Sequence, residues 1–196
     1  LIVGGRWKYT ALGKKLIHPE GRFIPVGAAQ GFQPAEQHLN ATIDQHFKSM
    51  ASRLGFEQST LRADVIYDPV DELAYFIEME IVLATPLLLA PVSHGYDLLK
   101  NIVKTVLFQD VKKAGDDKYG ATVLYFMHPS QNFSRIDNAT ELIDNESIIE
   151  LNFDTQKYQY EIDGVTHYVW GRVVTRDENR SESIKTATMV QNKLKY

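Results

Sequence analysis

Between Leu61 and Ile81 the chain has one practical way to fold. Leu61 to Tyr67 and Leu73 to Ile81 carry alternating apolar, aromatic and β-branched residues, and Asp68-Pro-Val-Asp-Glu72 between them is turn chemistry. The pattern predicts a β-hairpin. Side chains alternate across a strand, so positions 74, 76, 78 and 80 are expected on one face and Tyr75, Ile77 and Met79 on the other. On the partner strand Arg62, Asp64 and Ile66 share a face, which puts Asp64 almost opposite Glu78. Asp64, Glu78 and Glu80 then converge.

Like charges that close repel by roughly 1 kcal/mol in water and by several times more in a partly dry site. Arg62 alone cannot balance three carboxylates. One or two Mg²⁺ ions could, because magnesium takes oxygen ligands and commonly joins carboxylates to phosphate oxygens. The plainer reading is a solvated hairpin face whose acids keep it soluble. Pattern by itself leaves both open.

The remaining periodicities place this hairpin in an α+β chain, a mostly antiparallel sheet flanked by helices. Val3-Gly-Gly-Arg-Trp-Lys-Tyr9 suits a hairpin turning at its glycines, and Pro and Gly punctuate 18–34 as an ordered loop or short extended pieces. Leu39, Ile43, Phe47, Met50 and Leu54 recur at helical spacing after Pro34, and Gly55 supplies the stop. A second helix is predicted over 95–108. Strands follow at 121–128, 148–153, 157–162 and 166–175, with Asp163-Gly164 as a tight turn, and a last helix runs over 182–194. The division expected is 1–110, carrying the acidic hairpin, and 111–196, β-rich with a terminal helix.

Composition removes several classes. There is no cysteine, so disulfides, thiolate metal sites and a cysteine nucleophile are excluded, and any metal must sit on oxygen or imidazole. Lys and Arg total 21 against 25 Asp and Glu, a net charge of −4 without a basic run, which argues against nucleic acid as a partner. The apolar run from Ile81 to Val92 holds two prolines and is too short to span a bilayer, so no membrane role is expected. Leu1-Ile-Val-Gly-Gly5 lacks the features of a signal peptide, and the chain reads as beginning inside a larger, cytoplasmic protein. On that reading the sequons at Asn40, Asn132, Asn138 and Asn145 arise by chance.

Other residues invite chemistry and have simpler explanations. His38 and His46 lie about two turns apart on the first helix, too far for a shared zinc. Ser93-His94 has no nucleophile elbow around it, and a helix-start cap at Ser93 or Asp97 is the better reading. The aromatics Tyr119, Tyr125, Phe126, Phe133, Tyr158, Tyr160, Tyr168 and Trp170 fit cross-strand packing.

The run Arg62-Ala-Asp-Val-Ile-Tyr-Asp-Pro-Val-Asp-Glu-Leu-Ala-Tyr-Phe-Ile-Glu-Met-Glu80 resembles the antiparallel strand pair of ATP-grasp enzymes. In that family an acid on the first strand and a Glu in a "Tyr-Phe-Ile-Glu-Met-Asn" type second strand hold the magnesium of Mg-ATP. The helix ending at Leu54-Gly55, the run His94-Gly-Tyr-Asp-Leu-Leu99 and the stretch from Gly171 to Leu194 are similar to flanking parts of biotin-carboxylase-like members. The resemblance covers the C-terminal part of such a protein, without its N-terminal domain or glycine-rich lid. It implies Asp64 and Glu78 as nucleotide-site residues and Asp64, Glu78 and Glu80 as metal ligands, with ATP and Mg²⁺ as cofactors. Glu80 falls where the family usually has Asn, and Val82 where it has Arg.

Two functions follow from the resemblance. The first is part of a ligase that forms an acyl phosphate from a small-molecule carboxylate and passes it to an amine or similar nucleophile. Its partners would be the missing N-terminal and lid regions of the same protein and, in a homodimer, a second copy; the segments 18–31 and 85–94 would wall the substrate cleft. The second is a non-catalytic binding or regulatory module on a degenerate ATP-grasp fold.

Overall fold

The computed structural model describes the chain except for residues 19–23, 32, 69, 72, 82–85, 117, 130–141, 143, 154–158 and 195–196, and except for the side chains of Ala35, Asn40 and Pro86. Two compact units are present. One comprises Leu1–Leu12 and Pro34–Asp116, the other Gly13–Gln33 and Asp117–Tyr196. The segment Gly13–Gln33, which the sequence alone leaves in the first segment, groups with the second because Gly13–Ile17 and Pro25–Gly31 are strands of its sheet.

The first unit opens with a short hairpin, β1 (Ile2–Val3) and β2 (Arg6–Trp7), turned at Gly4 and Gly5, both at positive φ. A turn of 3-10 helix at Pro34–Glu36 leads into α1 (Gln37–Arg53). Gly55 ends that helix at φ 75, its N–H donating to the Ser52 carbonyl, as the sequence predicts. Ile43 and Ala51 are buried on α1, and Phe47 packs its ring on Trp7 at 5.4 Å. Then come β5 (Arg62–Asp68), β6 (Leu73–Glu80), α2 (Pro86–His94) and α3 (Leu98–Val106). The core of this unit gathers Leu1, Tyr9, Ala90, Tyr96, Leu98 and Val111.

α2 is a helix where the sequence suggests a proline-broken apolar segment. Pro91 lies inside it and gives up one backbone bond, while Leu89, Ala90 and Ser93 are fully buried. Burial of that apolar face outweighs the lost bond. α3 starts three residues later than the spacing suggests, at Leu98, because Asp97 caps it by accepting from the Lys100 N–H at 2.9 Å.

The second unit is an antiparallel sheet with one helix against it. β3 (Gly13–Ile17), β4 (Pro25–Gly31), β7 (Gly120–His128), β10 (Val165–Asp177) and β8 (Ile148–Asn152) follow one another across it, and β9 (Gln159–Ile162) pairs with the first part of β10. Asp163 and Gly164, both at positive φ, make the expected tight turn between β9 and β10. β4 replaces the loop expected around residues 25–31. Gly27 reads as a breaker, yet it lies in strand register with Leu124, and a Cβ there would overlap the Val123 carbonyl. α4 (Arg180–Lys193) buries Ser183, Ala187 and Val190 against the sheet, its start capped by Asn179. Phe126, Trp170, Val173, Ala187 and Val190 centre the core, with Trp170 bulged out of register in β10 and its ring stacked on Phe153. The aromatics Phe126 and Trp170 are thus core; Phe133 and Tyr158 lie outside the described residues.

Candidate functional site

The hairpin β5–β6 forms as its alternation predicts. Asp68 builds the turn by accepting from the Val70 N–H at 2.8 Å and the Asp71 N–H at 3.4 Å. Register pairs Asp64 with Glu78 and Arg62 with Glu80. One expectation is corrected: Ile77 is an extra residue in β6, since Glu78 pairs with Asp64 but Phe76 pairs with the adjacent Val65. This bulge moves Ala74 and Phe76 to the face opposite Glu78 and Glu80. The face bearing Ala63, Val65, Tyr67, Ala74, Phe76 and Met79 is half-buried. The other carries Arg62, Asp64, Glu78 and Glu80 at one end and the exposed Ile66 and Tyr75 beyond them.

The three acids gather on a guanidinium. The Arg62 Nη2 stands 3.2 Å from the Glu80 carboxylate, to which it donates a hydrogen bond, and 3.8 Å from that of Glu78; its Nε is 3.9 Å from Asp64. Asp64 is the most enclosed of the acids, its side chain 19% exposed, and Glu78 the most open at 50%. The Arg62 Nε is itself shielded from water and has no hydrogen-bond partner. Proximity also shows in proton affinity. The carboxyl of Glu78 is raised above its ordinary value of 4.5, first by a hydrogen bond with Glu80, then by the Glu80 charge, burial, and the hydrogen bond and charge of Asp64.

The three acids form an all-oxygen donor set. Its donors are all carboxylate oxygens, the chemistry a hard divalent cation takes, and strand register brings them to one face. Among the described residues, however, no three Asp, Glu or His side chains already surround a point where a metal could sit. The ligand chemistry fits, and the present arrangement is organised by Arg62. That role is the one the sequence reading undervalues: Arg62 is visible in the pattern, but its reach to all three acids is set by the register. Val82 lies outside the described residues.

The other candidates fall as the plainer readings suggest. His38 and His46 are exposed on α1. Ser93 Oγ does reach His94 Nδ1 at 2.8 Å, which adjacency in sequence does not suggest, but Ser93 is fully buried inside α2 and its hydroxyl donates to the Leu89 carbonyl at 2.9 Å. It is neither an accessible nucleophile nor a cap. No described helix is long and apolar enough to cross a membrane.

No protein-family model and no curated protein sequence matches the chain. Solved structures do. Phosphoribosylglycinamide synthetase from Anaerococcus prevotii superposes with a TM-score of 0.76 at 12% identity, over 99% of this chain and 50% of that one. L-amino acid ligase from Bacillus licheniformis gives 0.75 at 16% identity, over 100% and 49%. The biotin carboxylase–β,γ-ATP complex from Campylobacter jejuni gives 0.56 at 12% identity, over 87% and 39%. The chain thus spans about half the length of the first two, and at these identities the likeness establishes a common fold.

Proposed function

From a chain whose fold is that of the ATP-grasp ligases, we propose that it serves as the part of an ATP-dependent ligase that holds Mg-ATP. One observation carries this reading: in that fold, the hairpin brings Asp64, Glu78 and Glu80 to one face in register. Asp64, Glu78 and Glu80 are the metal ligands, with Asp64 and Glu78 also lining the nucleotide site. A magnesium ion held by these carboxylates would supply charge neutralisation for the phosphates. The γ-phosphoryl group passes to a carboxylate oxygen of a small-molecule substrate, releasing ADP, and an amine then attacks the acyl carbon of the acyl phosphate as phosphate leaves. Titration with Mg-ATP is expected to give a saturable heat, lost in Asp64→Asn and Glu78→Gln; no heat from the unsubstituted chain overturns the reading.

A second reading has an observation of its own. Arg62 already offsets part of the acidic charge, so the acids do not need a metal to stand together. A module that binds a partner without turning over ATP gives no Mg-ATP heat, and the two acid substitutions leave its partner binding unchanged.

A further inference from the structure

We propose that Arg62 is the resting counter-cation of the acidic hairpin face and must leave it for a divalent ion to enter, so that Arg62 sets the metal affinity of this chain. The inference rests on the reading of Asp64, Glu78 and Glu80 as metal ligands. It begins from charge. Three carboxylates on one face of a two-stranded hairpin repel one another, and Arg62, paired with Glu80 across the hairpin, supplies a cation that offsets this. On that reading a metal would draw on the same three carboxylates.

The contacts are those of a group held by charge more than by shape. A well-seated arginine meets a carboxylate through short, parallel hydrogen bonds of about 2.7–2.9 Å. Arg172 in the other unit comes near this, with Nε and Nη2 at 3.0 and 2.8 Å from one Glu150 oxygen. Arg62 has a single hydrogen bond at 3.2 Å and two ion pairs at 3.8 and 3.9 Å. Its Nε donor is shielded from water with no acceptor, a cost that departure removes. The side chain as a whole is 30% exposed. A magnesium ion binds oxygen at about 2.0–2.1 Å with twice the charge. It can displace this guanidinium, at the expense of affinity.

The test uses Mn²⁺ as the probe, by isothermal titration and by the loss of its free-ion paramagnetic signal, on the whole chain. Arg62→Gln is expected to bind Mn²⁺ about tenfold more tightly than the unsubstituted chain, and Arg62→Lys, which keeps the charge, to stay near it. Arg172→Gln removes one positive charge elsewhere and is expected to change nothing. Equal affinity of Arg62→Gln and the unsubstituted chain overturns this inference and leaves the metal reading standing; equal tightening in Arg172→Gln, or weaker binding in Arg62→Gln, also overturns it. No Mn²⁺ binding by either form overturns both. A second measurement needs no variant: in a Mg²⁺ titration followed by NMR, the Arg62 Nε–H should begin to exchange rapidly with water as the site fills. A resonance unmoved at saturating Mg²⁺ refutes the displacement.

Discussion

Glu78 is the residue in which the crowding of the hairpin face has a thermodynamic signature. Its carboxyl binds a proton more readily in the fold than in the unfolded chain, chiefly through the hydrogen bond with Glu80. The sign follows from linkage: this contribution favours the fold at pH below the ordinary value of 4.5 and is lost as pH rises through the raised value. Glu78→Gln is therefore expected to flatten the fall in stability across that window. Urea unfolding midpoints from about pH 4 to about pH 7 check it, and an unchanged profile in the variant contradicts the assignment. The identities of the three acids were legible in the sequence, but their alignment was not: with Asp68 paired to Leu73, strict alternation sets Asp64 opposite Ile77, and the bulge brings Glu78 there. The reach of Arg62 to all three was not legible either, because it depends on side-chain lengths and register acting together.

Elements show where local pattern and packing part company. α1 and α4 follow their apolar spacing, and the boundary of α4 is set by a cap: the Asn179 side chain accepts from the Glu182 N–H at 3.0 Å. Asn179→Ala is expected to cost about 1 kcal/mol of stability, read from chemical denaturation; a Gly in its place should cost only a few tenths. The packing of α4 on β10 is tied by Thr175 and Ser183, whose hydroxyls lie 2.8 Å apart. Two elements escaped the pattern. β4 is disguised by Pro25, Gly27 and Gly31, and its glycine is required only because the backbone of β7 runs so close. α2 is disguised by its prolines, and forms because Leu89 and Ala90 have a core to enter. Within β6 the bulge at Ile77 changes which residues share the acidic face, a local event with no signature in an alternating run.

Across the whole molecule, the acidic hairpin belongs to the unit of 1–12 and 34–116, while the six-stranded sheet with α4 belongs to the other. If the hairpin holds the metal, saturating Mn²⁺ should slow amide hydrogen exchange in β5 and β6 and leave β7 and β10 as they were. Protection confined to β7 and β10 would move the site to the other unit. The sequence by itself determined the α+β class, the acidic hairpin, the helix stops at Gly55 and the turn at Asp163-Gly164, because each depends on neighbours a few residues apart. Tertiary structure alone decided that β3 and β4 join the sheet of the second unit, that a glycine-marked segment is an interior strand, and that Arg62 stands among three carboxylates. These are contacts between distant or register-dependent partners, whose free energy comes from pairing and burial and leaves no period in the chain.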